Sequence, residues 1–261
     1  MNDFEISVCN HLDVLPARLK DYMRRDFERD HFVVLDQLLP PEMTRRIEEE
    51  ALRLLGRSAE RRDLVIEGSG NTPRAYNSVG RDAIRQSGKF IPAFFDSPAI
   101  LDFLSEIAGE RLHKVPYAPE EFIINSQERR GDTHGWHWDD YGYALIWVVE
   151  SPDALSGGRV EFIPRVPWLR ENTEQWLRDV LSSRHVRSHY VRPGQCYFMK
   201  ANTTLHRVSP LTGETRRTVI VYSYASDADL SDATISHESM EAIYPKDTTA
   251  GVDAAAERAV A

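Results

Sequence analysis

Cysteine is almost missing from this chain: Cys9 and Cys196 are the two that its 261 residues contain. Two thiols so far apart make no disulfide framework and have no metal-ligand spacing, which suits a reducing, cytoplasmic setting. Long apolar runs are missing as well. None approaches the roughly 18 residues a membrane span requires, and residues 1–10 have neither a basic stretch nor an apolar core of the secretory type. Positive charge is in deficit: 32 basic against 41 acidic side chains give a net charge of −9. That leaves no basic footprint for phosphate backbones or anionic lipid, so neither nucleic acid nor membrane is an expected partner. There is no internal repeat and no linker, and a hydrophobic content of 41% suffices for one domain with a sizeable core.

Apolar residues at Leu15, Leu19, Tyr22, Met23 and Phe27 recur at helical spacing and predict a helix over 15–29. Residues 31–36 are β-branched and aromatic, a short strand. Pro40 and Pro41 stop it and open a second amphipathic helix over 41–55, with Gly56 as terminator. Residues 61–80 hold few apolar side chains and several turn formers, and predict a long loop or irregular hairpin. Residues 83–109 read as helix in two pieces, broken at Pro92 and Pro98.

Strand-like runs follow. They comprise 120–125, where one of Glu120 and Glu121 must face inward, then 143–149, 157–163 as a hairpin arm turned by its glycines, 193–199, and 217–223. A helix over 168–181 interrupts them as an insertion that lids or buttresses the rest. His185 and His189, flanked by Arg184 and Arg187, read as solvated surface. Residues 226–241 are acidic and polar, and 250–261 are Ala-rich with few anchors.

The chemistry concentrates in 131–140 and especially in His137-Trp138-Asp139. In an extended segment at the mouth of a strand, His137 and Asp139 share one face and Trp138 takes the other. Two ligands for one metal are then in place. A second imidazole from a distant strand completes a two-His, one-carboxylate triad, the donor set that leaves positions open on non-haem Fe(II); His206 is the candidate. An H-x-D triplet alone is common in loops. The signal lies in its ordered combination with a strand histidine far downstream and Arg217 beyond it. Arg216 competes with Arg217, but a strand over 217–223 puts Arg217, Val219, Val221 and Ser223 on one face, taken as the barrel lumen. Trp136 and Trp138 read as packing residues.

At these residues the sequence resembles the Fe(II)/2-oxoglutarate-dependent oxygenases. The resemblance implies a mainly β fold with flanking helices, a double-stranded β-helix (jelly-roll) core, and Fe(II), 2-oxoglutarate and O2 as cofactor and cosubstrates. It makes His137, Asp139 and His206 the iron ligands and Arg217 the clamp on the far carboxylate of 2-oxoglutarate. The implied layout is a single domain over 1–261. Its parts are a mainly helical segment over 1–112, a barrel over 113–225 with a helical insertion at about 164–190, and a C-terminal segment over 226–261.

A narrower resemblance, to the BesD-type free amino-acid halogenases and hydroxylases, rests on Arg74, Glu120, His134, His137, Asp140 and His206. Halogenases of this kind carry Gly or Ala where Asp139 stands, so hydroxylation is implied. A free amino acid is a zwitterion, and its buried charges need partners. Arg74, with His134 assisting, suits the carboxylate, Asp140 the α-ammonium, and Glu120 a side-chain ammonium, which selects lysine or another basic amino acid. Ser223 completes the expected substrate set. Val221 and Ser223 depart from the more polar residues of the lysine halogenases, and 236–244, the expected substrate cover, lacks their tryptophan. Oxidation of an aliphatic amino acid or a carrier-tethered intermediate, and a non-catalytic metal-binding barrel, stand as alternatives. A homodimer is the oligomeric option.

Overall fold

The computed structural model describes residues 2–245; the Ala-rich stretch 250–261 lies outside the described residues. The first element, helix α1 (Asp3–Asp13), buries Val8 and Leu12 and adds a helix ahead of the expected one over 15–29. Helix α2 (Ala17–Asp30) and strand β1 (Phe32–Leu35) follow the expected periodicities. Helix α3 (Pro41–Ser58) runs through Gly56: a glycine costs a helix only about 1 kcal/mol, and burial of Leu54 and Leu55 outweighs it.

Of the two options for residues 61–80, a long loop or an irregular hairpin, the structure takes the hairpin and makes it regular, β2 (Glu60–Ile66) paired with β3 (Thr72–Val79). Polarity hid that regularity. β3 lies between two other strands and turns Arg74 and Tyr76 into a cavity, so a polar residue there marks the inside. Three helices then replace the expected two: α4 (Arg81–Ser87), α5 (Phe90–Phe95) and α6 (Pro98–Ala108). The first break is at Gly88–Lys89 rather than Pro92, which sits in the first turn of α5, where its missing N–H costs little.

The remaining elements are β4 (Leu112–Lys114), β5 (Phe122–Gln127), β6 (Thr133–His137), β7 (Tyr143–Glu150), β8 (Val160–Pro164), α7 (Thr173–Ser183), β9 (Arg187–His189), β10 (Cys196–Lys200), β11 (Thr204–Val208), β12 (Arg217–Ser226), α8 (Asp227–Ser231) and α9 (Glu238–Ile243). Glu120 is not on a strand as expected; it closes a 3-10 turn over Ala118–Glu120 ahead of β5, Pro119 being unable to donate to a ladder. The strands form one curled sheet in the order β1-β10-β7-β12-β5-β3-β6-β11-β8-β9, with β2 on β3 and β4 on β12. It is the double-stranded β-helix core with flanking helices. It also recruits β1 and β3, upstream of the expected first barrel strand. β8 is no hairpin partner of β7: it pairs with β11 and β9, so the chain crosses between halves of the barrel at Gly157 and Gly158, both at positive φ. The insertion carries an edge strand as well as a helix. His189 lies on that strand, its ring against Phe32 and Phe162.

Alternation sorts the sheet's two faces. Leu145, Trp147, Ile220, Tyr222 and Phe198 pack outward against the N-terminal helices, whereas Ala144, Ile146, Val148, Tyr197 and Val219 point into the lumen. The helices brace the site from behind: Phe94 of α5 meets Trp147 edge-on at 5.6 Å and Tyr222 at 4.7 Å. α5 is itself held by buried Glu50, which accepts from the amides of Lys89, Phe90 and Ile91 at 2.7, 2.9 and 2.9 Å. Glu50→Ala would orphan these donors, so a loss of about 2–3 kcal/mol in urea denaturation is expected. No described helix is long and apolar enough to cross a membrane.

Candidate metal centre and substrate cavity

Register explains why two histidines so far apart in the chain meet. β6 and β11 are antiparallel neighbours, and His137 and His206 are direct cross-strand partners, so their side chains leave the same face of the sheet. Their ring centroids are 4.0 Å apart. Asp139 follows the end of β6. Its Oδ1 lies 3.4 Å from His137 Nε2 and 3.6 Å from His206 Nε2, and the three donor groups all fall within 4.8 Å of one another. Trp138 points the other way, its Nε1 donating to the Val166 carbonyl at 2.8 Å while its ring stacks on Trp168.

The donor chemistry fits a divalent metal. A backbone carbonyl accepts each Nδ1–H, Gly135 O at 2.7 Å for His137 and Thr204 O at 2.9 Å for His206. A carbonyl can only accept, so Nδ1 carries the proton and Nε2 offers its lone pair to the common centre. Burial and the neighbouring histidines hold His137 well below its usual pKa, and burial raises the Asp139 carboxyl. A cation at the centre would offset the cost of ionising that carboxylate. Among the described residues no fourth donor joins the group, so the positions an external ligand needs stay free of protein.

The cavity in front of the triad is lined by Arg74, Tyr76, Glu120, Asn125, Gln127, His134, Asp140, Tyr197, Arg217 and Ser223, among others. Every sequence-predicted site residue is therefore brought to one cavity. Arg74 sits opposite His134 in the β3–β6 ladder. His134 stacks on His137 at 4.1 Å and on Tyr76 at 5.1 Å. Arg217 is 2% exposed and donates to the Tyr197 hydroxyl at 3.3 Å. Arg216 faces outward, half-exposed, near Glu128 and Glu150.

Arg74, also 2% exposed, bonds through Nη1 and Nη2 to Thr72, Pro73 and Ser69, and its Nε has no partner. Burial lowers its pKa, and Asp139 opposes the shift. Neither Arg74 nor Arg217 has a carboxylate within salt-bridge distance among the described residues. The acids of the cavity, in contrast, are taken: Glu120 by His237 and Asp140 by Arg170, both at 2.9 Å.

Sequence reasoning passed over Asn125, Gln127, Tyr197, Arg170 and His237. Asn125 and Gln127 could have been found, since they share a face with Ile123 along β5. Arg170 and His237 carry no periodic signal, because they reach the cavity's carboxylates, Asp140 and Glu120, from covering segments.

A double-stranded β-helix with a His-Asp-His cluster at its mouth is the architecture of the 2-oxoglutarate and Fe(II) oxygenases. The chain belongs to the halogenase D family, whose model matches residues 15–245. Among solved structures it is similar to the carbocyclase SnoK of nogalamycin biosynthesis, with a TM-score of 0.63 and 14% identity over 82% of this chain and 85% of that one. It is similar to AviO1 from Streptomyces viridochromogenes Tue57, with a TM-score of 0.61 and 20% identity over 80% and 96%. The epimerase SnoN, solved in complex with Fe3+, alpha ketoglutarate and nogalamycin RO, gives a TM-score of 0.59 at 14% identity over 81% and 85%. A comparison with curated protein sequences finds no match.

Proposed function

We propose that the protein is an Fe(II)/2-oxoglutarate-dependent hydroxylase of a free amino acid, with a side-chain carbon of lysine or another basic amino acid as its target. One observation carries the reading: two buried guanidiniums, Arg74 and Arg217, face the cavity of the triad without a carboxylate partner among the described residues. A buried cation left unpaired costs several kcal/mol, and two ligands that each bring a carboxylate remove that cost. Arg217, from deep in the barrel, suits the far carboxylate of 2-oxoglutarate. Arg74, two strands along the sheet on β3 beside His134, suits the carboxylate of the substrate.

His137, Asp139 and His206 would hold Fe(II). Once bound, iron with 2-oxoglutarate and O2 supplies the oxidation R–H + 2-oxoglutarate + O2 → R–OH + succinate + CO2. The chain's own residues do the rest. The β3–β6–β11 ladder fixes Arg74 relative to the triad, so a clamped amino acid presents its side chain and not its charged ends to the centre. Met240 and Ile243 of α9 cover the cavity with Ile146, Val219 and Val221 beneath, which keeps water from the reacting carbon. Asp139 favours hydroxylation within a family described as halogenases, since its carboxylate stands where a halide would bind.

Succinate release with Fe(II) and ascorbate, screened over the twenty standard amino acids and ornithine, tests the reading. Stimulation by lysine, ornithine or arginine is the expected result. An aliphatic amino acid is the second reading, favoured by the fact that Glu120 and Asp140 already have cationic partners; stimulation by leucine-like substrates alone would establish it. The absence of coupled turnover with any small molecule would point instead to a metal-binding barrel.

A further inference from the structure

Two carboxylates line the cavity away from the triad, and each is held by a cation from a segment that covers the barrel. Asp140 accepts from Arg170, whose guanidinium lies 3.7 Å from the centre of the Trp168 ring. Glu120, 8% exposed, accepts from His237 Nδ1.

The position of His237 is over-determined. Its ring lies flat on Tyr117, with centroids 3.7 Å and planes 8° apart, and stacks at 5.8 Å on Tyr141. It is also the N-cap position of α9, whose Ser239, Met240 and Ile243 line the cavity. The far end of that helix is pinned by Tyr244, which bonds Ser78 through its hydroxyl and packs under the Arg62 guanidinium at 5.0 Å. The imidazole is thus delivered to Glu120 by a helix anchored at both ends.

Charge makes this placement consequential. Burial pushes Glu120 up to about 7 against the pull of His237, and Glu120 in turn raises His237. Asp140, whose carboxylate lies within 4.8 Å of both Glu120 and His237, is a second acid of this cluster, but Arg170 already holds it; two acids then face two cations, and a third cation drawn to Glu120 meets His237 across a poorly screened gap. An ammonium group arriving at Glu120 therefore finds its place already held by a group of the same sign.

We propose that His237 is a specificity-determining residue that competes with a cationic substrate side chain for Glu120, and so sets the discrimination between basic and neutral amino acids. This rests on the amino-acid reading above, and deepens it. A purely structural His237 would alter basic and neutral substrates alike; a competitor alters their ratio.

The test compares kcat/KM for lysine and for norleucine, similar in length without the ammonium, in the wild type, His237→Phe and His237→Gln. Phenylalanine keeps the stack on Tyr117 and removes charge and hydrogen bond; glutamine keeps a donor to Glu120 and removes the charge and the ring. Both variants are expected to shift the lysine-to-norleucine ratio toward lysine by about tenfold or more, with thermal unfolding checking that each is folded. A gain of lysine turnover by the variants over a wild type that accepts only neutral amino acids would support the proposal while removing lysine from the functional reading. A ratio within about twofold of wild type in both variants, or shifted toward norleucine, would overturn the proposal with turnover intact. Failure of every amino acid to stimulate succinate release in all three proteins would overturn the amino-acid reading, and the proposal with it.

Discussion

His206→Ala is expected to lower substrate-stimulated succinate release by roughly a thousandfold or more and to abolish tight Fe(II) binding in equilibrium dialysis. The triad is held by strand register rather than by local sequence: His206 is the cross-strand partner of His137, and its Nδ1–H is committed to the Thr204 carbonyl. Alanine there removes one of three donors and leaves no neighbour to replace it. His134 cannot step in; its ring is stacked between Tyr76 and His137, and it is not among the converging donors. The fold should survive the change. The imidazole lies against the His137 ring at the wall of the cavity, so its loss enlarges the cavity and leaves the packed core untouched. A melting temperature within a few degrees of wild type without iron, combined with lost iron binding, separates a ligand from a structural residue. Retention of stoichiometric Fe(II) by the variant would refute the triad.

The second large effect is expected at Arg217. Truncating one member of a buried, hydrogen-bonded charge pair costs about 2–5 kcal/mol, so Arg217→Ala should raise the KM for 2-oxoglutarate by between roughly thirtyfold and a thousandfold or more. Arg216→Ala provides the contrast. Its side chain is 52% exposed and lies 3.5 Å from Glu128 and 3.9 Å from Glu150, an arrangement worth about 1 kcal/mol or less. Its KM should stay within about threefold of wild type. Equal effects at the two positions would exclude the proposed clamp. Arg217→Lys adds resolution: the charge is kept but the planar fork is lost, so partial recovery indicates that point charge contributes and bidentate geometry supplies the rest.

Polarity misled the sequence reading where it met the barrel's inside. Residues 61–80 read as a long loop or irregular hairpin because they hold few apolar side chains and several turn formers, with no apolar alternation to mark a half-buried strand. In the fold β3 runs between β5 and β6, and its polar side chains mark a binding cavity, not solvent. The same inversion hid Asn125 and Gln127 on β5. Glu120 shows a different failure. Alternation left open which of Glu120 and Glu121 faces inward, and the resemblance named Glu120; a strand continued to 120 would turn it outward with Phe122 and Ile124, and the 3-10 turn at Pro119 brings it to the cavity instead.

The sequence alone determined whatever depends on neighbours a few residues apart. His137 and Asp139 share a face with Trp138 opposite because an extended chain alternates, and Arg217, Val219, Val221 and Ser223 line the lumen for the same reason. The tertiary structure decided which of these faces meet. The pairing of His206 with His137 and of Arg74 with His134 is a matter of strand order and register, set by the burial of the whole sheet against its helices. The capture of Glu120 by His237 and of Asp140 by Arg170 depends on where two covering segments come to rest. Charges brought together in this way leave no periodic trace along the chain, since their attraction acts only after the backbone has closed the distance.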